Sequence, residues 1–76
     1  MNEIELKNSA IRWLSKFAKE HISRPQKVTP KELAEAVGGA YTSVGKIAES
    51  ITAELLAQGC CVSYERSGNR RYFLIQ

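Results

Sequence analysis

Two adjacent glycines, Gly38-Gly39, separate two short apolar repeats, and this arrangement constrains the chain more than any other feature. Upstream, Thr29-Pro30-Lys31-Glu32 is a helix start. The threonine hydroxyl suits an N-cap, proline suits the first helical position because its missing N–H would have no partner there, and Glu32 completes a capping box. Leu33, Ala34 and Val37 then form the buried face of a helix of about two turns. Glycine tolerates positive φ, so Gly38-Gly39 ends this helix and turns the chain. The next helix is predicted from Tyr41 or Thr42, with Val44, Ile47, Ala48, Ile51, Leu55 and Leu56 along one side and a natural stop at Gly59.

Ahead of this unit, residues 4 to 21 carry Leu6, Ala10, Ile11, Leu14, Phe17 and Ala18 at helical spacing. They read as an amphipathic first helix whose apolar face is widened by Trp13. It ends near Ile22, because Pro25 lacks an amide donor and disfavours helical dihedrals at Arg24. After Gly59, residues 60–65 and 71–75 are rich in β-branched, aromatic and small apolar side chains, and Ser67-Gly68-Asn69 between them is turn chemistry. They form a predicted hairpin. Strand alternation turns Phe73 and Ile75 inward with Val62 and Tyr72 outward, while Tyr64 fits either a core edge or the surface. Val28 is placed for a brief extra strand before the second helix. The expected class is α+β, three helices followed by a two-stranded hairpin in the order α-(β)-α-α-β-β, as one domain over residues 1–76. A chain this short buries only ~60% of its extended surface, so Trp13, Phe17 and the aliphatic stripes are all needed in the core.

Composition narrows the function. The longest apolar runs, such as Phe73-Leu74-Ile75, fall far short of the ~20 residues a spanning helix requires. Met1-Asn2-Glu3-Ile4-Glu5 opens with acids where a signal peptide places cations ahead of an apolar stretch, so a cytoplasmic protein is expected. Eleven Lys and Arg against eight acids leave a net charge of +3. Placement matters more than this total. Arg66, Arg70 and Arg71 surround the predicted turn, and the cations from Arg12 to Lys31 have only Glu20 among them. Three cations flanking Ser67-Gly68-Asn69 without an acid favour phosphate contact over a merely solvated tip.

Cys60 and Cys61 are adjacent, so on a strand they point to opposite faces and a bond between them would strain the backbone; they read as reduced, small apolar residues. One histidine and no aspartate leave no ligand set for a metal. His21, close to a helix C-terminus, is a favourable partner for the helix dipole rather than a catalytic base. No nucleophile elbow, phosphate loop or pair of acids can be named. Neither enzymatic activity nor a cofactor is expected.

A helix-turn-helix unit needs a small residue where its helices cross, a residue tolerant of positive φ in the turn, and a branched apolar anchor on the second helix. Ala34, Gly38 and Val44 supply these, flanked by Leu33, Val37 and Ile47, so Lys31 to Ala48 resembles the helix-turn-helix family across the whole unit. The resemblance continues through Leu55-Leu56-Ala57-Gln58-Gly59, a strand, an arginine-rich turn and Arg71-Tyr72-Phe73-Leu74, which look like the wing of winged-helix regulators. In size and layout the chain is similar to the small FaeA-like fimbrial regulators. The resemblance implies sequence-specific binding of double-stranded DNA by a transcriptional regulator, with the third helix in the major groove and the hairpin on flanking phosphate or the minor groove.

With Val44, Ile47 and Ile51 facing inward, the opposite side of the third helix presents Tyr41, Thr42, Ser43, Gly45, Lys46 and Glu49. Lys46 suits phosphate or guanine, Thr42 phosphate or a base, and the Tyr41 hydroxyl a phosphate oxygen. Glu49 repels DNA unless it accepts a hydrogen bond from cytosine. Gly45 costs up to ~1 kcal/mol relative to alanine inside a helix, which fits either close approach of a partner or simple tolerance, tolerance being the slightly favoured reading. Sequence-independent affinity is assigned to Arg66, Arg70 and Arg71, with Lys27, Lys31 and Asn69 completing the expected DNA-contacting set. A homodimer or a second regulatory protein is a natural partner, since one small domain touches few base pairs. No membrane or small-molecule substrate is expected. The alternative reading is a winged-helix module that docks proteins without touching DNA.

Overall fold

A computed structural model describes residues 2–20 and 25–76 of the chain. Six elements follow in order: α1 (Glu3–Glu20), β1 (Gln26–Val28), α2 (Pro30–Val37), α3 (Tyr41–Ala57), β2 (Val62–Ser67) and β3 (Arg70–Ile75). The protein is α+β, with three helices and a three-stranded antiparallel sheet ordered β1-β3-β2. The expected end of the first helix near Ile22 and the dipole role of His21 lie outside the described residues.

Local chemistry explains where the helices begin. The side-chain oxygen of Asn2 accepts the Glu5 amide at 2.8 Å, an N-cap that starts α1 one residue earlier than the apolar period implies. Leu6, Ala10, Ile11 and Leu14 are its buried face. Thr29 caps α2 through Oγ1, which accepts the Glu32 amide at 3.1 Å, and Pro30 occupies the first helical position.

The two glycines of the turn have different jobs. Gly38 alone is left-handed, at φ 79°, and its amide reaches the Ala34 carbonyl at 2.8 Å. Gly39 has an ordinary φ; a Cβ there would stand 2.5 Å from Leu6 Cδ1. Its role is close approach to α1, whereas the sequence assigned both glycines to positive φ. The atom met is the end of the Leu6 side chain, which is buried, so admitting a Cβ requires Leu6 to repack. We expect Gly39→Ala to cost roughly 1–3 kcal/mol as an overpacking change, read as a lowered midpoint in a circular-dichroism melt; an unchanged midpoint would show that no steric constraint acts there.

Val44, Ile47, Ala48, Ile51 and Leu55 of α3 pack inward. Leu56, assigned to the same side by period, is 58% exposed. It lies one residue beyond Leu55, and the face buried against α1, α2 and β2 is too narrow to include both. Thr52 joins the buried face instead, its hydroxyl donating to the Glu49 carbonyl at 3.0 Å so that no polar atom is stranded. Trp13 and Phe17 are only half-buried against the edge of the core, stacked on each other with ring centroids 5.0 Å apart. The centre of the core is filled by Leu14, Leu33, Ile51, Leu55 and Phe73, leaving the aromatic pair at the rim.

The brief extra strand placed at Val28 is present, and it joins the expected two-stranded hairpin in a three-stranded sheet. Gln26, Lys27 and Val28 pair with Ile75, Leu74 and Phe73, so β1 covers an edge of β3 that a bare hairpin would leave open. Val28 is 1% exposed, which gives the added strand its anchor. On the other side β2 runs against β3 from Val62↔Ile75 to Ser67↔Arg70. The Gly68-Asn69 link has positive φ at Gly68 only, the dihedral pattern of a type II′ hairpin turn. Phe73, Ile75 and Val62 are buried as alternation predicts.

Candidate nucleic-acid interface

Alternation along the hairpin sorts its side chains between two faces. Val62, Tyr64 and Arg66 of β2 share the helix-facing side with Arg71, Phe73 and Ile75 of β3, and the register sets Tyr64 against Phe73 and Arg66 against Arg71. The Tyr64 and Phe73 rings are 4.9 Å apart and tilted by 47°. This aromatic contact props Tyr64 half out of the core, at the foot of a groove.

That groove, of about 510 Å³, runs between the helices and the hairpin. The start of α2 contributes Thr29, Pro30 and Lys31; α3 contributes Tyr41, Thr42, Gly45 and Lys46; the hairpin contributes Tyr64, Asn69 and Arg71. A second groove of about 430 Å³ continues from it, bounded by Glu49 on α3 and by Glu65 and Arg66 on β2. Gly45, Lys46, Tyr64 and Arg71 line both, so the two form one trench with a saddle at these residues.

The electrostatics of the trench are one-sided at its first end. The amino termini of α2 and α3 both open onto it with the positive end of a helix dipole; α2 is already capped by Thr29 and begins with a proline, so the less satisfied end is that of α3. Ala40 caps α3 with no side-chain hydrogen bond, and no acid stands in the first turn. Arg66 and Arg71 are directly opposed across the strands, a like-charge arrangement that costs stability unless an anion sits between or beside them. Among the described residues the one ion pair within 4.0 Å joins Lys7 to Glu54 at 3.9 Å, away from the trench. Among the described residues no trench cation is in a close ion pair, although Glu49 and Glu65 border the second groove. Glu65 carries its carboxylate to the Ser63 hydroxyl at 3.0 Å instead.

Most of the residues singled out from the sequence converge here. Lys31, Tyr41, Thr42, Gly45, Lys46, Asn69 and Arg71 line the first groove, and Glu49 and Arg66 the second. Three stand apart. Lys27 lies on β1 with its ammonium 4.9 Å over the Tyr72 ring, a cation–π contact on the outer face of the sheet. Arg70 shares the outer parity of Tyr72 and points away from the trench, and Ser43 is half-buried beside the core residue Val44. Thr29, Pro30, Tyr64 and Glu65 line the trench and were not singled out. For Tyr64 the signal was available in its strand parity with Val62; for Thr29 and Pro30 it was hidden, because their capping role accounted for them fully. No family model, curated protein or solved structure matches this chain.

Proposed function

We propose that the chain is a winged helix-turn-helix domain that binds double-stranded DNA in a sequence-specific manner, as a cytoplasmic transcriptional regulator without enzymatic activity. In this reading α3 enters the major groove through Tyr41, Thr42, Lys46 and Glu49, and the β2–β3 hairpin acts as the wing on flanking phosphate or minor groove. The observation that carries it is the trench: two helix amino termini and the opposed Arg66 and Arg71 face a concave surface that also holds Lys46. An anionic strand relieves the repulsion and satisfies the helix ends at once. A homodimer or a second regulatory protein would supply the further base contacts that one domain of this size lacks.

The reading has a quantitative signature in salt. Lys31, Lys46, Arg66 and Arg71 each neutralise a phosphate, which predicts a slope of roughly −4 in log affinity against log salt. Affinity for duplex DNA is thus expected to fall roughly 10²-fold between about 50 and about 200 mM salt. A fluorescence-anisotropy titration measures this; absence of binding to any duplex at the lower concentration would overturn the proposal.

The acids of the second groove support a different occupant. Glu49 and Glu65 beside Lys46, Arg66 and Arg71 make a mixed-charge surface of the kind that docks proteins. Capture of a stoichiometric protein partner that is lost on Glu49→Lys or Glu65→Lys, by a parent chain that binds no duplex, would favour that alternative.

A further inference from the structure

Gly45 has no use for its missing side chain inside the domain. It stands in the second turn of α3, where its φ is not positive, so no left-handed backbone requires a glycine. A Cβ built on it meets nothing within 4 Å, in contrast to Gly39, where a Cβ collides with Leu6. Alanine would fit this backbone, touch no neighbour and favour the helix. Simple tolerance is thus a cost with no intramolecular return, at a position that is half-exposed and not at an element's end. The position is also the floor of the saddle, with Lys46 beside it on the helix and Tyr64 and Arg71 across from it on the hairpin.

We propose that Gly45 is a contact-determining residue, the point at which one deoxyribose-phosphate unit of a bound duplex rests against the main chain of α3. The inference rests on the DNA-binding reading above and deepens it. The phosphate is held between the Lys46 ammonium and the Arg71 guanidinium, one from each wall. The sugar lies along the half-buried Tyr64 ring, which offers an apolar surface beside the two cations. The absent Cβ leaves the floor flat, and restoring it fills the space that the sugar needs.

The test separates binding from folding because the two are expected to move in opposite directions. Gly45→Ala should raise the melting temperature by up to roughly 4–8 °C, through helix propensity. It should weaken binding of a fluorescein-labelled, mixed-sequence duplex at about 50 mM salt by roughly tenfold, with the salt slope unchanged because no cation is removed. Equal binding by the parent and Gly45→Ala would overturn the inference and leave the DNA-binding reading intact. Failure of the parent to bind the duplex would remove both. Weaker binding together with a lowered melting temperature would trace the effect to damage in the helix and would also overturn it.

Discussion

Replacing both Lys46 and Arg71 by glutamate is expected to weaken duplex binding roughly 10²–10³-fold at about 50 mM salt. The two side chains come from opposite walls of the trench and line both of its grooves, so reversing them turns the middle of the trench against an anion. Each reversal removes a counterion-releasing contact and adds a repulsive one, and the salt slope should shrink by roughly two. Folding is not expected to suffer. Both residues are exposed, neither makes an ion pair within the domain among the described residues, and Arg71→Glu converts the opposed Arg66 pair from like to unlike charge. Anisotropy titrations beside thermal melts check both halves. Retained affinity in a normally folded double variant would sink the assignment of the trench as a nucleic-acid surface.

Phe73→Ala is expected to have the largest effect on stability. The ring is fully buried, sits opposite Val28 on one side of β3 and Tyr64 on the other, and so holds all three strands against the helices. Truncating a buried phenylalanine costs ~3–5 kcal/mol, while a domain of this size has a total of roughly 4–11 kcal/mol to lose. The variant should melt tens of degrees lower or lack a cooperative transition, at roughly 4–8 °C per kcal/mol. Phe73→Leu, which keeps most of the volume, should lose far less. A midpoint within a few degrees of the parent for Phe73→Ala would contradict the placement of this ring at the centre of the core. Because Tyr64 leans on Phe73, the same substitution should also loosen one wall of the trench.

Helices, turn and hairpin were legible from local rules because each rests on residues within a few positions of one another. Thr29 and Pro30 start α2, Gly38 ends it, and the inward set of α3 follows its period. Errors arose where two distant segments compete for the same space. Leu56 satisfied the helical period yet found no partner surface, and Trp13 and Phe17 were displaced to the rim by side chains from α2, α3 and β3. A brief strand at Val28 was legible in the sequence, but its partner was not: only the fold shows that β1 pairs with the free edge of β3.

The candidate residues on α3 and around the turn could be named from the chain alone, since exposure on a helix and charge around a turn are properties of spacing and composition. Tertiary structure alone decided which of them share a surface. Lys46 and Arg71 are far apart in sequence and become the two walls of one trench only when β3 pairs with β2, the strand that packs against α3. Strand parity sends Arg70 and Lys27 to the other face. The two glycines of the turn and Gly45 look alike as letters; what each must avoid, or leave open, depends on a neighbour from elsewhere in the fold.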